Sequence, residues 1–428
     1  MGRRRSLSMV LLASFWVVLA TYLQTARFRG VSLFDRLWAE DGSVFLEHAL
    51  RNAWLPSLLE PYARYMNFLP RLMAEIASVS PLRLAPVVMS VGSAILVSLL
   101  SVFVFLASGE ILRSRTTRAM LAGLMIVLPA ALETTGNASN LHWYFLFACF
   151  WALIDSQRHW GRAWVGSLVA LGATMSSPLS ALLLPMAVFR LVRADRKEAR
   201  AVPIAFFAGL VVQASVVLAE STGAPSSEAV LSDLLRLFGL RVAGSLLVGE
   251  RFLDSFWRLF GWGFAYAALG IMLGVGVALW RRDSGQRGVA VAAFMYSILF
   301  FFVTLWFRGT SWMLPTTETA NVGASRYTVV PILLLAAITL MLIEAPDSTT
   351  PSRWGLRLRY GVLGLFFAVV VANYSADAPA TPEPRWNTEL EMARRTCATE
   401  GLTQVDIPVA PGHPWAVLTA CDRLVVPS

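Results

Sequence analysis

Two adjacent carboxylates stand in an unusual place in this sequence. Residues 38–50 read WAEDGSVFLEHAL and put Glu40 next to Asp41, shortly after the uncharged stretch of residues 9–26. A carboxylate at a membrane interface can accept the proton of an attacking hydroxyl group, as a general base does. The pair could instead cap a helix that begins near Gly42, because acidic residues favour helix N-termini. The sequence leaves a catalytic and a structural role open.

Three arginines near the same apolar segments have the chemistry to bind a phosphate group. Arg64 and Arg71 follow the carboxylate pair, and Arg326 precedes a later apolar run. A guanidinium group can hold a phosphate through paired hydrogen bonds. The alternatives are that Arg64 and Arg71 extend to lipid headgroups and that Arg326 anchors a span at the interface.

A third group of residues could bind a sugar, because aromatic rings offer a flat surface and amides offer hydrogen bonds. Trp143 could equally belong to the aromatic belt of a membrane protein. Together with the acids and arginines, this group suits glycosyl transfer from a lipid phosphate to a hydroxyl. No ligand spacing predicts a metal site and no cofactor is indicated, although a divalent ion on the outer carboxylates stays open. The candidate sugar-binding residues are Tyr65, Asn67, Asn140, His142, Trp143 and Tyr327.

The elements that must position these residues are membrane-spanning helices. The chain has 428 residues, of which 56% are hydrophobic and 15% charged, whereas about 25% are charged in soluble domains. A soluble protein this apolar would need a core larger than single domains build. We therefore predict an all-α polytopic membrane protein. Each helix that crosses the bilayer fully needs about 20 residues. Eleven spans are predicted, at residues 9–26, 86–107, 118–132, 140–155, 163–176, 178–192, 202–219, 259–280, 288–307, 327–344 and 359–374.

The basic residues predict the orientation of these spans. With the N-terminus in the cytoplasm, six short inner loops hold 19 of the 36 Lys and Arg residues, in accord with the positive-inside rule. The net charge of +9 is thereby explained by the membrane, and no nucleic-acid partner is expected. The remaining arginines lie in outer segments at residues 27–85, 220–258, 308–326 and 375–428, where this rule gives no reason for them.

Two outer segments are predicted to be folded. In the first extracytoplasmic loop, residues 27–85, two short amphipathic helices are expected, at 42–55 on the membrane surface and after Pro70. Residues 1–374 would form the catalytic membrane domain, and 375–428 a small extracytoplasmic C-terminal segment with a helix ending at Gly401 and two strands. A disulfide between Cys397 and Cys421 would stabilise this tail. It could form there because an outer compartment permits oxidation.

Transport is a second function class that the sequence leaves open. A lipid or polysaccharide transporter or flippase usually carries internal repeats and charged residues deep in its spans, and the sequence shows neither feature clearly. A third hypothesis is a non-catalytic membrane assembly partner. The enzyme hypothesis is favoured, with Asp41 preferred to Glu40 as the base because Gly42 would leave the surroundings of Asp41 open to an acceptor.

The stretch WAEDGSVFLEHAL, followed by EPYARYMNFLPRLMAEIA, resembles the first outer loop of bacterial sugar transferases of the GT-C superfamily. In that superfamily the loop carries a catalytic acid, and the matching residues here are Glu40 and Asp41. The stretches ETTGNASNLHWYFLF, GASRYTVVPILLL, PRWNTELEMARRTC and DIPVAPGHPW resemble later parts of the same group. The resemblance covers about a quarter of the chain.

This resemblance implies a GT-C-like fold and a polyprenyl-phosphate-linked sugar donor, with the phosphate held by arginine. The acceptor would be a hydroxyl group of a glycan or lipid of the cell envelope, and transfer would invert the anomeric carbon. It also implies a place in the bilayer of a bacterial cytoplasmic (inner) membrane, with the active site on the extracytoplasmic face.

Overall fold

The fold is built almost entirely from helices. The computed structural model describes residues 2–52, 54–130, 132–156, 159–220, 230–280, 282–321, 323–344, 353–375 and 383–424. Three π-helical turns, Asp41–Leu46, Val87–Val91 and Phe238–Gly244, interrupt the α-helical segments. The α-helices are α1 Gly2–Thr25, α2 Glu47–Arg51, α3 Trp54–Leu59, α4 Phe68–Ser78, α5 Gly92–Ala107, α6 Arg115–Val127, α7 Leu141–Ile154, α8 Trp160–Ser176, α9 Leu184–Arg193, α10 Lys197–Ala219, α11 Leu231–Leu237, α12 Ser245–Val248, α13 Glu250–Phe260, α14 Trp262–Leu279, α15 Ser284–Arg308, α16 Val329–Ile343, α17 Arg353–Ala372 and α18 Trp386–Glu400.

Six helical segments in the described ranges are long and apolar enough to cross a membrane. This confirms the helical, multi-pass architecture, but it does not confirm the count of eleven spans. Helices α6 and α9 fall on the third and sixth predicted spans and contain only 13 and 10 residues, whereas a full crossing takes about 20. The six segments are Ser8–Thr25, Leu82–Glu110, Lys197–Ala219, Trp262–Leu279, Ser284–Arg308 and Ser325–Ile343.

Helix α16 forms the centre of the bundle. Its sequence, VVPILLLAAITLMLI, is apolar on every side, and nearly all of its residues are buried inside the protein. Helix α15 packs against it in the antiparallel sense. Two hydrogen bonds show this direction: Gln286 donates to the Glu344 carboxylate at 3.1 Å, and Ser297 donates to the Pro331 carbonyl at 3.0 Å. The C-terminal end of α15 and the N-terminal end of α16 therefore lie on the same face.

The first outer loop differs from the prediction. The expected helix over 42–55 is divided into the π-helical turn Asp41–Leu46, α2 and α3, with extended backbone at Asn52. Gly42, Phe45 and Leu46 are buried inside the protein, so this part does not lie on the membrane surface. Helix α4 begins at Phe68, before Pro70, because a proline in the first turn of a helix removes no intrahelical hydrogen bond.

The tail contains the expected helix and strands. Helix α18 ends at Gly401, which has a φ of 62°, a left-handed conformation that glycine adopts without steric cost. Strands β1, Gln404–Pro408, and β2, Ala416–Ala420, pair in the antiparallel sense. Cys397 and Cys421 are joined by a disulfide bond with their Cα atoms 5.6 Å apart.

The described part of the tail packs directly on the first outer loop. Ala410 exchanges backbone hydrogen bonds with Leu37 at 2.9 Å and Ala39 at 2.6 Å. The backbone N–H of Leu418 in β2 donates to the Glu47 carboxylate at 2.8 Å. A buried ion pair joins Arg36 to Glu383 at 2.8 Å. The tail thus supports the chain immediately on both sides of Glu40 and Asp41.

Removal of the disulfide is expected to loosen this support. The two cysteines are 24 residues apart, and the loop-closure entropy of a loop of this length stabilises a fold by about 3 kcal/mol. In the double variant Cys397→Ser/Cys421→Ser, hydrogen exchange of β1 amides should accelerate by about a hundredfold. Cys149→Ala, which removes the buried free cysteine, is the control and should leave exchange in β1 unchanged. Equal exchange rates in the double variant and the wild type would contradict this prediction.

Candidate functional site

A polar cleft opens where α15 ends and α16 begins. It encloses about 80 Å³ and is open to solvent. Of the eleven residues proposed from the sequence for catalysis or binding, eight line it, and Asp41, Arg64 and Arg71 do not. The lining consists of Glu40, Phe45, Tyr62, Tyr65, Asn67, Ser139, Asn140, His142, Trp143, Arg326 and Tyr327.

Glu40 is the carboxylate that faces the cleft. Its side chain is half-buried at the start of the π-helical turn Asp41–Leu46. It lies close enough to Tyr62 and Arg326 to interact electrostatically with both. Among the described residues none donates a hydrogen bond to it, so the carboxylate is available to a ligand.

Asp41 points into the protein and is fully buried. Its two carboxylate oxygens accept hydrogen bonds from the backbone N–H groups of Ala138 and Ser139, each at 2.8 Å. Burial raises the pKa of Asp41 to about 7, and these N–H donors oppose that rise. Asp41 therefore joins the first outer loop to the segment that precedes α7.

The space around Gly42 is closed, contrary to the reason for preferring Asp41 as the base. A Cβ atom at this position would lie 3.0 Å from Val409 and 3.1 Å from Val417, both in the tail. The glycine permits close packing between the first loop and the tail rather than access for an acceptor.

Arg326 is held at the cleft by Glu133. The guanidinium group forms an ion pair with the Glu133 carboxylate, which also accepts a hydrogen bond from the Arg326 backbone N–H at 3.2 Å. The Arg326 side chain remains 31% exposed and lies over the Tyr327 ring at 5.1 Å. Glu133 was not among the proposed site residues, and it fixes the position of one that was.

A tight turn brings Tyr62 and Tyr65 to the cleft. The two residues exchange backbone hydrogen bonds at 3.0 and 3.3 Å, and Asn67 donates its side-chain amide to both carbonyls. Between them Ala63 and Arg64 have φ values of 53° and 68°, which is unusual for residues other than glycine. Such strained backbone is concentrated at functional sites. Arg64 is exposed at the tip of this turn.

Aromatic rings form one wall of the cleft. Trp143 packs against His142 with ring centroids 4.6 Å apart and meets Tyr327 edge to face at 5.6 Å. The carbonyl of Ser139 lies 2.9 Å from Nδ1 of His142 and fixes that ring. Asn140 supplies a polar group at the edge of the same wall. Rings and amides in this arrangement can bind the faces and hydroxyls of a sugar.

Arg71 does not line the cleft but contacts residues of the first outer loop that pack next to it. Its side chain is fully buried in α4 and donates to the carbonyl oxygens of Ser57 at 2.9 Å and Pro61 at 3.4 Å. It also lies 5.5 Å from the centre of the Phe45 ring, which faces the cleft. The structure thus places Arg71 away from any phosphate bound in the cleft.

Arg308 is a cationic residue that the sequence analysis overlooked. It is the last residue of α15, where it marked only the end of a span, and it is exposed. It lies close enough to Tyr62, Tyr65 and His142 to influence their ionisation. Arg308 does not line the cleft, but it adds a second positive charge to the surroundings of three cleft residues. In the described part of the chain, no group of three or more His, Cys, Asp or Glu residues could hold a metal ion.

Two crystal structures of the oligosaccharyltransferase from Archaeoglobus fulgidus are similar to this chain. One is tethered through a disulfide bond to an acceptor peptide with an NVT sequon, and the similarity has a TM-score of 0.47 and 12% identity over 90% of this chain and 57% of the other. The second, a complex with Zn and sulfate, has a TM-score of 0.43 and 12% identity over 89% and 55%. The chain thus spans little more than half the length of either structure.

No protein-family profile and no curated protein sequence matches the chain. Both TM-scores are below 0.5.

The two adjacent acids should differ in their effect on stability. Asp41→Asn replaces one acceptor oxygen by an amide nitrogen and leaves a buried backbone N–H without a partner, which costs about 1–3 kcal/mol. Glu40→Gln removes no hydrogen bond and should change the free energy of unfolding by less than about 0.5 kcal/mol. Thermal unfolding of both purified variants would measure the difference, and equal Tm values would contradict the assigned geometry.

Proposed function

We propose that the protein is a membrane glycosyltransferase that moves a sugar from a polyprenyl-phosphate donor to a hydroxyl acceptor. The observation that carries this proposal is one cleft that combines the available Glu40 carboxylate, Arg326 and an aromatic wall, with the charge of Arg308 acting on Tyr65 of the same cleft. The resemblance of the first outer loop to GT-C transferases supports the same reaction. The acceptor would be a glycan or lipid of the cell envelope.

Glu40 is assigned as the general base, in place of Asp41. The acceptor oxygen attacks the anomeric carbon of the donor sugar while Glu40 takes the proton from that hydroxyl. The bond between the anomeric carbon and the phosphate oxygen breaks, and polyprenyl phosphate leaves with the electron pair. Because the attack comes from the face opposite the leaving phosphate, the product has inverted configuration.

Arg326 and Arg308 are assigned to the donor phosphate. Negative charge increases on the phosphate as its bond to the sugar breaks, and a guanidinium group placed there stabilises that change. The ion pair with Glu133 keeps Arg326 in position before a donor binds. Arg308 stands next to Trp306 and Phe307, which are 55% and 59% exposed and would face the lipid. Arg308 is thus suited to meet a phosphate whose polyprenyl chain remains in the bilayer.

The sugar is assigned to the wall formed by His142, Trp143 and Tyr327. Burial raises the pKa of Tyr65 to about 12, so its hydroxyl stays protonated and can donate a hydrogen bond to the substrate. Asn140 can accept and donate at the same edge. Asn67 acts indirectly, because its amide holds the turn on which Tyr62 and Tyr65 stand.

Replacement of Glu40 tests the assigned base. Glu40→Gln in purified protein reconstituted in lipid should reduce transfer of a labelled sugar from polyprenyl phosphate by 10²–10⁴-fold, the usual contribution of a general base. Glu318→Gln, which neutralises an exposed carboxylate outside the cleft lining, is the control and should transfer at the wild-type rate. Transfer by Glu40→Gln at the wild-type rate would place the base elsewhere. Movement of the donor across the bilayer without transfer would favour a flippase.

The arginines give a separate prediction. Arg326→Gln and Arg308→Gln should each lower kcat/KM by at least about tenfold, because each removes a charge-assisted hydrogen bond worth about 1.5–3 kcal/mol. Arg64→Gln changes an exposed arginine of the first outer loop that does not line the cleft, and it should leave kcat/KM within about twofold. A larger loss of kcat/KM in Arg64→Gln than in Arg326→Gln would indicate that the phosphate binds at the tip of the Tyr62–Tyr65 turn.

A further inference from the structure

A second cavity lies between α14 and α15, away from the cleft. It is a groove of about 500 Å³, almost entirely apolar, whose base includes Ile338 of α16. Its walls include Val277 and Val291, which are 73% and 49% exposed. Arg287 is the charged residue in its lining. The groove is therefore a hydrocarbon-facing cavity with a cation in it.

The position of Arg287 along α15 places it at the other membrane face. Arg287 and Arg308 belong to the same helix and are 21 residues apart. At 1.5 Å per residue this separation is about 30 Å, which equals the thickness of the hydrocarbon core of a bilayer. Since Arg308 lies at the cleft, Arg287 lies at the opposite interface.

A glycine keeps the groove open. A Cβ atom at Gly276 would meet nothing within 4 Å, so no neighbouring helix requires a small residue there. Glycine in a helix costs about 1 kcal/mol relative to alanine. The chain accepts this cost at a position where a larger side chain would occupy the groove.

The charge of Arg287 is not neutralised by a carboxylate in the described ranges. Its guanidinium lies over the Trp280 ring at 5.2 Å, and the Trp280 carbonyl accepts a hydrogen bond from Nη1 at 3.4 Å. Two nearby acids have other partners. Asp283 pairs with Arg113 at 3.4 Å, and the Glu344 carboxylate accepts from Ser114, Thr117 and Gln286.

We infer that this groove binds an anionic glycerophospholipid of the bilayer, with one acyl chain along α14 and α15 and the phosphate on Arg287. The charge distribution matches that occupant, because a lipid carries its phosphate at the interface and its hydrocarbon below. Arginine forms charge-assisted hydrogen bonds with phosphate, and basic pockets between helices bind anionic headgroups. Trp280, beside Arg287, suits the headgroup level, where tryptophan is enriched. This site is independent of the proposed glycosyl transfer.

Native mass spectrometry of the full-length protein, titrated with phosphatidylglycerol or phosphatidylcholine, tests this assignment. The wild type should retain phosphatidylglycerol about fivefold more strongly, the ratio that corresponds to about 1 kcal/mol for one arginine near anionic lipid. Arg287→Gln should abolish the preference. Gly276→Leu should reduce retention of both lipids, because it fills the groove.

The matched control is Gly274→Leu, on the same helix at nearly the same depth. A Cβ atom at Gly274 also meets nothing within 4 Å, and this residue does not line the groove, so the variant should bind lipid as the wild type does. Undiminished phosphatidylglycerol retention in Gly276→Leu would overturn the proposal. A wild-type dimer that Gly276→Leu converts to monomer would also overturn it, because the groove would then bind a second copy of the chain. Displacement of phosphatidylglycerol by equimolar polyprenyl phosphate would overturn it as well, because the groove would then bind the donor lipid.

Discussion

The contact between the Asp41 carboxylate and the backbone N–H groups of Ala138 and Ser139 determines the geometry of the cleft. It joins the first outer loop to the start of α7, and both of these segments line the cleft. Because Asp41 turns inward to make this contact, its neighbour Glu40 is left facing the cleft. One acid of the pair thus holds the structure together, and the other remains available for chemistry.

Buried arginines explain part of the positive charge that the positive-inside rule does not cover, namely Arg27, Arg36, Arg71 and Arg241. The outer segments contain irregular backbone, whose carbonyl groups need hydrogen-bond donors when they are buried. Arg27 donates to the carbonyls of Tyr374 and Leu128 at 2.9 and 2.8 Å, and Arg241 to those of Asn321 and Gly323. A guanidinium group has five donors, so one side chain can connect segments that are distant in sequence. Arg241 also steadies the chain that leads to Arg326.

The sequence predicted most of the cleft because its residues lie near the ends of apolar segments on one face. Alternating spans bring these segment ends to the same membrane face. Eight of the eleven proposed residues line the cleft there. The choice between Glu40 and Asp41 depended on long-range contacts that no local pattern records. The same is true of Gly42, which meets Val409 and Val417 from the tail. Arg71 was assigned to a phosphate from its chemistry alone, because its burial in α4 follows from the packing of the whole loop and not from a local pattern.

The number of spans was the least predictable part of the fold. Helices α6 and α9 contain 13 and 10 residues, and hydropathy reports the composition of a segment rather than where its helix begins and ends. Secondary structure in the tail was easier to predict, since Gly401 and the alternation of residues in β1 and β2 are local signals.

The packing of the tail on the first outer loop has a consequence for biosynthesis. The segment that carries Glu40 is made early, whereas the residues that cover its outer side, from Glu383 to Leu424, are made several hundred residues later. A nascent chain would therefore have its helices in the bilayer before the loop has its final support. The first outer loop would reach its final packing only after the tail has arrived on the same side of the membrane.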